Sequence, residues 1–169
     1  NQAGRVMNFL PLLPHLRQVA NFSLPESPEK AALMFSWLGS LLDSMGDYAA
    51  ARPYYEQALA INREVLGERH PDTASSLDNL GGLFRAMGDY AAARPDFEQA
   101  LAIREKRFGP ESKEVASSLH TLGPLNYTQG NYAEARRLLE RSLAIREKIL
   151  GPEHEDVAST LNSLGAIAY

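Results

Sequence analysis

The residues best suited to metal chemistry are the consecutive Glu-His-Glu-Asp at 153–156. Imidazole and carboxylate groups bind zinc or calcium, but a site needs ligands that converge from different parts of a fold. The matching positions around His70 and Ser112 do not repeat this set. We therefore interpret residues 153–156 as the capped, solvated start of a helix and predict that the chain binds no metal.

Other catalytic patterns are missing from the sequence. Neither G-x-x-x-x-G-K-[ST] nor G-x-G-x-x-G can be written on it, and H-E-x-x-H does not occur. The four histidines are spread along the chain, with no serine and aspartate predicted beside any of them. There is no cysteine, which excludes disulfides and thiolate ligands. The sequence predicts a protein that is not an enzyme and needs no cofactor.

Composition narrows the choice of partner. The chain has 169 residues, a net charge of -4, 44% hydrophobic and 22% charged residues, as in ordinary folded domains. This charge gives no basic surface for nucleic acid or for a membrane. No apolar stretch approaches the roughly 20 residues that span a bilayer, and no signal peptide is recognisable. We expect a cytoplasmic protein without nucleic-acid or membrane partners.

A fixed period organises the chain. Columns that recur every 42 residues include Gly46, Gly88 and Gly130; Tyr48, Tyr90 and Tyr132; Ala51, Ala93 and Ala135; and Ile61, Ile103 and Ile145. No insertion or deletion interrupts the period from Pro28 to Tyr169. A repeat this short cannot bury its apolar face alone, so successive repeats must stack. The period predicts an all-α solenoid.

Each repeat is predicted to hold two helices. In the second repeat, apolar residues at i, i+3, i+4 and i+7 mark a first helix over about 71–87, and a second helix follows over about 90–108. Gly88 should end the first helix in a left-handed conformation, and Asp89 should cap the second. The Gly109-Pro110 pair stops that helix. Such short connections force neighbouring helices to lie antiparallel.

The predicted core follows from these helices. The expected inward residues are Leu77, Leu80, Gly81 and Phe84 on the first helix and Ala93, Phe97, Ala100, Leu101 and Ile103 on the second. A glycine column recurs on the first helices at Gly39, Gly81, Gly123 and Gly165. Each of these glycines costs about 1 kcal/mol of helix stability relative to alanine. The column therefore predicts that another helix crosses at short distance there.

We divide the chain into five segments of one continuous solenoid. Residues 1–27 form a capping helix or a degenerate half repeat, residues 28–69, 70–111 and 112–153 are full repeats, and residues 154–169 are the first helix of a truncated fourth repeat. The chain starts without methionine and stops inside the pattern. We expect it to be a fragment of a longer protein.

The repeated columns support a family resemblance. Leu80-Gly81, Phe84, Gly88-Asp89-Tyr90, Ala93, Phe97 and Ala100 resemble the tetratricopeptide repeat (TPR). The 42-residue period and the recurring Leu-Ala-Ile-Arg-Glu-Lys run are similar to the long variant of kinesin light chains and many bacterial arrays. A finer resemblance, carried by residues 12–16 and by Ala-Arg-Pro in two second helices, is to the C-terminal repeat region of bacterial NB-ARC (STAND) signalling ATPases. The family implies a superhelix of antiparallel helix pairs.

The resemblance also implies a binding groove. In TPR proteins the outward stripe of the first helices lines a concave groove that holds a peptide. The peptide-binding candidates in that stripe are Asp78, Asn79, Arg85, His120, Thr121, Tyr127 and Asn162. These columns vary between repeats while the core columns hardly change, as ligand discrimination would require. The alternative for each exposed polar residue is simple solvation.

Four positions refine this prediction. Asn79 stands where related repeats hold the peptide backbone, but the other repeats carry Trp37, Thr121 and Ser163 there. We interpret Trp37 as packed against the N-terminal segment rather than offered to a ligand. Arg85 could pair with an acidic group, and Tyr127 could offer a flat apolar contact.

Two functions remain open at this point. The first is a protein–protein interaction scaffold that binds a peptide or protein segment in the groove. The alternative is a sensor or regulatory arm of a larger STAND-type signalling ATPase, acting through intramolecular contacts or through end-to-end self-association of the truncated array. Open solenoid ends expose apolar surface, which motivates the second hypothesis.

Overall fold

A computed structural model describes residues 27–167 of the chain, together with the isolated positions 14 and 18. Within these residues the chain forms the α-helices α1 (Pro28–Ser44), α2 (Tyr48–Leu66), α3 (Pro71–Ala86), α4 (Tyr90–Phe108), α5 (Lys113–Thr128), α6 (Tyr132–Leu150) and α7 (Glu155–Ile167). No strand occurs between residues 27 and 167. The predicted all-α class is confirmed. The helix or half repeat expected over residues 1–27 falls almost entirely outside the described residues, as does Tyr169.

The chain divides into two compact units, residues 1–88 and 89–169. In the first unit α2 packs against both α1 and α3. In the second unit α4 packs on α5, α5 on α6 and α6 on α7. Within each unit, every described helix therefore lies against its neighbours in sequence, as the short connections require.

Turn chemistry defines where the helices begin and end. Gly88 has a φ of 79° and follows α3, and Gly109 has a φ of 87° at the C-terminus of α4. Both angles belong to the left-handed region that favours glycine, which confirms the predicted stops. The Asp89 side chain accepts a hydrogen bond of 3.0 Å from the backbone N–H of Ala92, so it caps α4 as expected.

The helices that open each repeat after the first use two kinds of cap. Ser112 accepts a hydrogen bond of 3.3 Å from the Val115 N–H at the start of α5. At the equivalent position, His154 accepts one of 3.1 Å from the Asp156 N–H through Nδ1. His70 does the same for Asp72 at 3.2 Å. An imidazole can cap a helix in this way only when Nδ1 carries no proton.

The core matches most of the predicted inward positions. Leu77, Leu80, Gly81, Ala93, Phe97, Ala100 and Ile103 are all buried. Phe84 and Leu101 are half-buried rather than buried, and the guanidinium of Arg52 lies 5.3 Å from the centre of the Phe84 ring. Leu83, which the four-position stripe omits, is fully buried. The apolar face of α3 is therefore wider than the minimal stripe, as is common for helices packed on more than one side.

The glycine column marks close helix crossings in both units. A Cβ atom at Gly39 would lie 2.7 Å from the Tyr55 ring, and one at Gly123 would lie 2.5 Å from Cγ of Leu139. Either distance is far below normal carbon contact, so the predicted close approach is confirmed at these two positions. A Cβ at Gly165 would meet nothing within 4 Å. The corresponding face of α7 is open in the described residues.

A buried or half-buried polar contact joins each second helix to the first helix of the next repeat. We call these contacts the bridges; they are Asn62 Nδ2 to Ser76 Oγ at 2.8 Å, Arg104 Nη1 to Ser118 Oγ at 2.6 Å, and Arg146 Nη1 to Thr160 Oγ1 at 2.7 Å. The donors are 42 residues apart, and so are the acceptors. The bridges fix the register of α2 on α3, α4 on α5 and α6 on α7.

Candidate functional site

The predicted groove residues fall in both units, and each set is described by itself. The first-unit face consists of the outward residues of α1 and α3: Ser36, Trp37, Ser40, Asp43, Asp78, Asn79, Gly82 and Arg85. Trp37 is 73% exposed, which contradicts its interpretation as a packed residue. Asn79 and Arg85 are exposed, whereas Asp78 is half-buried. This face therefore presents an indole, an amide and a guanidinium to solvent.

A cavity of about 400 Å³ opens between α1, α2 and α3 beside this face. Its lining residues are Glu29, Lys30, Leu33, Ser36, Asn62, Asp72, Ser75, Ser76 and Asn79. Asn62 and Ser76, which form the first bridge, are buried in its wall. Asn79 is the one predicted site residue that lines this cavity, and the structure places it among hydroxyl, amide and carboxylate groups.

The far end of α1 carries a second polar contact. The Tyr55 hydroxyl lies 3.5 Å from Oδ2 of Asp43, while its ring covers Gly39. Burial of the phenol, reinforced by the negative charge of Asp43, raises the pKa of Tyr55 to about 12. Asp43 is thus connected to the core residue behind it.

The second-unit face consists of His120, Thr121, Pro124 and Tyr127 on α5 and Asn162, Ser163 and Ala166 on α7. His120 Nε2 lies 3.3 Å from Ser163 Oγ, so it connects the two helices. Burial lowers the pKa of His120, and the nearby positive charge of Arg146 lowers it further. A neutral imidazole at this position joins two neighbouring helices and presents no charge to a ligand.

The other predicted residues of this face differ in their surroundings. The Thr121 hydroxyl donates to the carbonyl oxygen of Ser117 at 3.1 Å, within its own helix. Tyr127 is exposed and packs against Tyr132, with the ring centres 5.2 Å apart. Asn162 is exposed on α7. The structure therefore adds Tyr132 to the face as the partner of Tyr127, whereas the sequence analysis uses Tyr132 only as a member of a repeating column.

Sequence reasoning missed the cavity wall. Leu33, Asn62 and Ser76 were not among the predicted site residues. A signal was present, because Asn62 stands in a column that carries arginine in the next two repeats. Asparagine is shorter than arginine and uncharged, and the cavity lies beside it.

The residues considered for metal chemistry act as a helix cap. His154 accepts from the amide of Asp156, and its Nδ1 lies 3.8 Å from Oδ2 of the same aspartate. Across residues 27–167, no group of three or more histidine, aspartate or glutamate side chains converges as metal ligands would. In the same range no helix combines the length and the apolar character needed to cross a bilayer.

Comparison with protein families identifies one matching model. The model of the tetratricopeptide repeat matches residues 30–106, 85–148 and 114–169, which together cover most of the chain. A search among curated protein sequences returned no match.

Solved structures give a consistent picture. BtubC (BKLC) from P. vanneervenii has a TM-score of 0.85 and 27% identity, over 98% of this chain and 66% of that one. Kinesin light chain TPR-like repeats from Podosopora anserina have a TM-score of 0.79 and 26% identity, over 98% and 79% of the two chains. The apo form of RapI, with a TM-score of 0.74, 23% identity and coverage of 89% and 54%, shares the fold. These neighbours confirm the class of TPR-like helical repeat solenoid and the likeness to kinesin light chain repeats. The chain spans just under two thirds of BtubC.

Proposed function

We propose, from the premise that this chain belongs to the tetratricopeptide repeat family, that it binds an extended or helical segment of another protein on its first-helix faces. Proteins of this family generally act as protein-interaction scaffolds and are generally not catalytic. The first-unit and second-unit faces are the surfaces on which we expect the partner to lie. Binding there follows the helix-in-groove and extended-peptide modes of recognition.

One contrast carries the proposal. Leu77 and Leu119 occupy the same column of successive repeats, and both are 0% exposed. Asn79 and Thr121 stand two residues after these leucines, at an outward position of the repeat. The exposed Trp37 occupies the same position in the first repeat. The repeats keep their core residues and change their outward residues. Such variation on a constant scaffold is how repeat proteins distinguish partners.

The two faces offer different chemistry to such a segment. The first-unit face supplies the exposed Trp37 indole and the exposed Arg85 side chain, and Asn79 on the same face lines the cavity. The second-unit face supplies the Tyr127–Tyr132 ring pair and the uncharged His120. Tryptophan, tyrosine and arginine are the residues that most often dominate binding energy in protein interfaces. We expect the charged contacts of the partner on the first unit and its apolar contacts on the second.

The test compares two triple variants in a capture experiment. The face variant carries Asn79→Ala, Arg85→Glu and Tyr127→Ala. The control variant carries Glu64→Ala, Lys106→Ala and Glu147→Ala, which change three exposed positions on second helices. Both must match the wild type in thermal unfolding. A protein retained by the wild type and the control but lost by the face variant supports the proposal. Equal capture by all three places the partner elsewhere and overturns it.

A second candidate function has one observation in its favour. Gly165 is open where its counterparts Gly39 and Gly123 are tightly packed, and Leu161 on the same helix is exposed. A face shaped for a further helix suits a regulatory arm of a STAND-type ATPase, or end-to-end association between copies. Light scattering gives the apparent molar mass. An apparent molar mass that rises with protein concentration, and is lower when Leu161 is replaced by glutamate, would favour association between copies. An apparent molar mass independent of concentration would count against it.

A further inference from the structure

The three bridges differ in the length and charge of the donor. In the second unit the donors are Arg104 and Arg146, whose guanidinium groups reach across to a hydroxyl on the next helix. Arg146 also donates to the carbonyl oxygen of Asp156 at 2.9 Å, so one buried guanidinium satisfies two acceptors. Arginine suits this task because it presents several donors in one plane.

The first unit has no arginine at this place. Asn62 donates to Ser76 Oγ at 2.8 Å and, through a longer hydrogen bond, to the Asp72 carbonyl oxygen at 3.4 Å. Ser76 and Asp72 are the counterparts of Thr160 and Asp156, the two acceptors of Arg146. The 400 Å³ cavity is lined by these same three residues of the first unit. The cavity therefore lies where the other bridges have an arginine donor.

Most of the cavity surface is apolar, and the charged residues of its lining favour a cation. Glu29 and Asp72 supply carboxylates, Lys30 is the one cationic group in the lining, and the lining charges sum to one negative. Ser36 and Ser75 add hydroxyl oxygens that can accept hydrogen bonds. Leu33, which is 59% exposed, offers an apolar edge against which an aliphatic stem can lie.

We propose that this cavity accepts the arginine side chain of the bound segment, which supplies the guanidinium that Asn62 does not. The inference rests on the proposed function, because the arginine belongs to the segment held on the first-unit face. Its guanidinium would donate to the carboxylates of Glu29 and Asp72 and to the neighbouring hydroxyls. An acidic side chain would meet two carboxylates instead, and a lysine would bring three donors on a single nitrogen rather than a planar fork.

The direct test uses a small probe and does not require a partner. Nuclear magnetic resonance follows the Asn62 side-chain amide and the backbone amides of Ser76 and Asn79 while Nα-acetyl-arginine methylamide is added. We expect saturable shifts at these signals. The citrulline analogue, which has nearly the same shape but no charge, should bind at least roughly tenfold more weakly, since its charge-assisted hydrogen bonds are lost. Equal responses to both probes, or no saturable response, would overturn the proposal.

Two variants locate the site. Asn62→Arg builds the donor of the other two bridges into the first unit, so it should fold normally and abolish the probe response. Glu29→Gln, at an exposed position, should weaken the probe roughly tenfold without touching the bridge. Glu64→Gln, on the exposed side of α2, is the matched control and should leave binding unchanged. Unaltered binding in Glu29→Gln contradicts the proposal even if Asn62→Arg fails to fold.

Selection from a random peptide library separates this inference from the proposed function. Peptides that need the first-helix faces should be enriched in arginine, and Asn62→Arg should lose that enrichment. If the first-helix faces capture peptides that are not enriched in arginine, the inference is wrong and the proposed function is still supported. A response to the arginine probe without any peptide capture would instead remove both the proposed function and the bound segment that the inference requires.

Discussion

The two units build their helix pairs alike but differ behind their first-helix faces. In the second unit two arginine bridges join neighbouring repeats, and His120 connects α5 to α7. In the first unit the bridge donor is an asparagine that lines a cavity, and Trp37 is exposed on the first-unit face. The comparison teaches that the donor of a bridge can be shortened from arginine to asparagine and still reach its acceptor. The core columns stay the same in both units.

The largest effect is expected when that common core is broken. Leu77→Ala and Leu119→Ala each remove a fully buried side chain from the same column and should each cost about 2–5 kcal/mol of unfolding free energy. Urea unfolding followed by circular dichroism measures both. Similar losses would support the equivalence of the two cores. A loss below about 1 kcal/mol in one unit alone would mean that the units are not built alike.

The glycine column should separate packed positions from open ones by the sign of the effect. Gly123→Ala places a methyl group against Leu139 and should destabilise the protein by about 1–3 kcal/mol. Gly165→Ala meets open space on α7, so the better helix propensity of alanine should stabilise by up to about 1 kcal/mol. Thermal unfolding of the two variants checks this. If both variants shift the midpoint of thermal unfolding in the same direction, the assignment of an open face to α7 is refuted.

The bridges should contribute unequally in the two units. Arg146→Met leaves the Asp156 carbonyl without its charged donor and should cost about 1.5 kcal/mol of unfolding free energy. Asn62→Ala removes a neutral donor and should cost about 1 kcal/mol. Arg136→Met, at an exposed position of the same helix as Arg146, serves as the control and should change stability by less than about 0.5 kcal/mol. A larger loss for Asn62→Ala than for Arg146→Met would reverse this comparison.

The smallest effect is a pH dependence confined to the second-unit face. Burial lowers the pKa of His120, so the unfolded chain binds a proton more readily than the folded one. The resulting stability is fully present above the unfolded pKa of about 6.5 and declines as the pH falls below it. Between pH 7.5 and pH 5.5, the unfolding free energy should decrease more in the wild type than in His120→Gln. Asn162→Gln, at an exposed position of the same face and without a titratable group, is the control, and an equal fall in wild type and His120→Gln would exclude His120 as the source.

The sequence was sufficient for the parts of the fold that depend on local chemistry. The 42-residue period predicted the positions of the helix pairs. Gly88 and Asp89 predicted a turn through their backbone and capping preferences. The glycine column predicted the close helix crossings at Gly39 and Gly123. Each of these signals depends on one residue type at one place in the repeat. The same reasoning failed at Phe84, which lies at the edge of the core, because burial at an edge depends on the neighbouring helix.

The candidate site was less accessible to sequence reasoning. The outward columns could be named by subtraction, but whether a residue is exposed, such as Trp37, or engaged, such as Thr121, depends on contacts that no spacing reveals. The cavity beside Asn62 escaped notice for a related reason. Its signal was a departure from the repeat, and a search for shared columns passes over the position where one repeat differs.

The bridges also bear on how such a chain can change its length over evolutionary time. Every bridge joins the same two positions of adjoining repeats, an arginine or asparagine on one side and a serine or threonine on the other. When recombination copies or deletes one whole repeat, the repeats brought together still carry matching halves of a bridge. The gene can therefore gain or lose 42 codons at a time without creating a new kind of junction, while each copy is free to acquire its own outward residues.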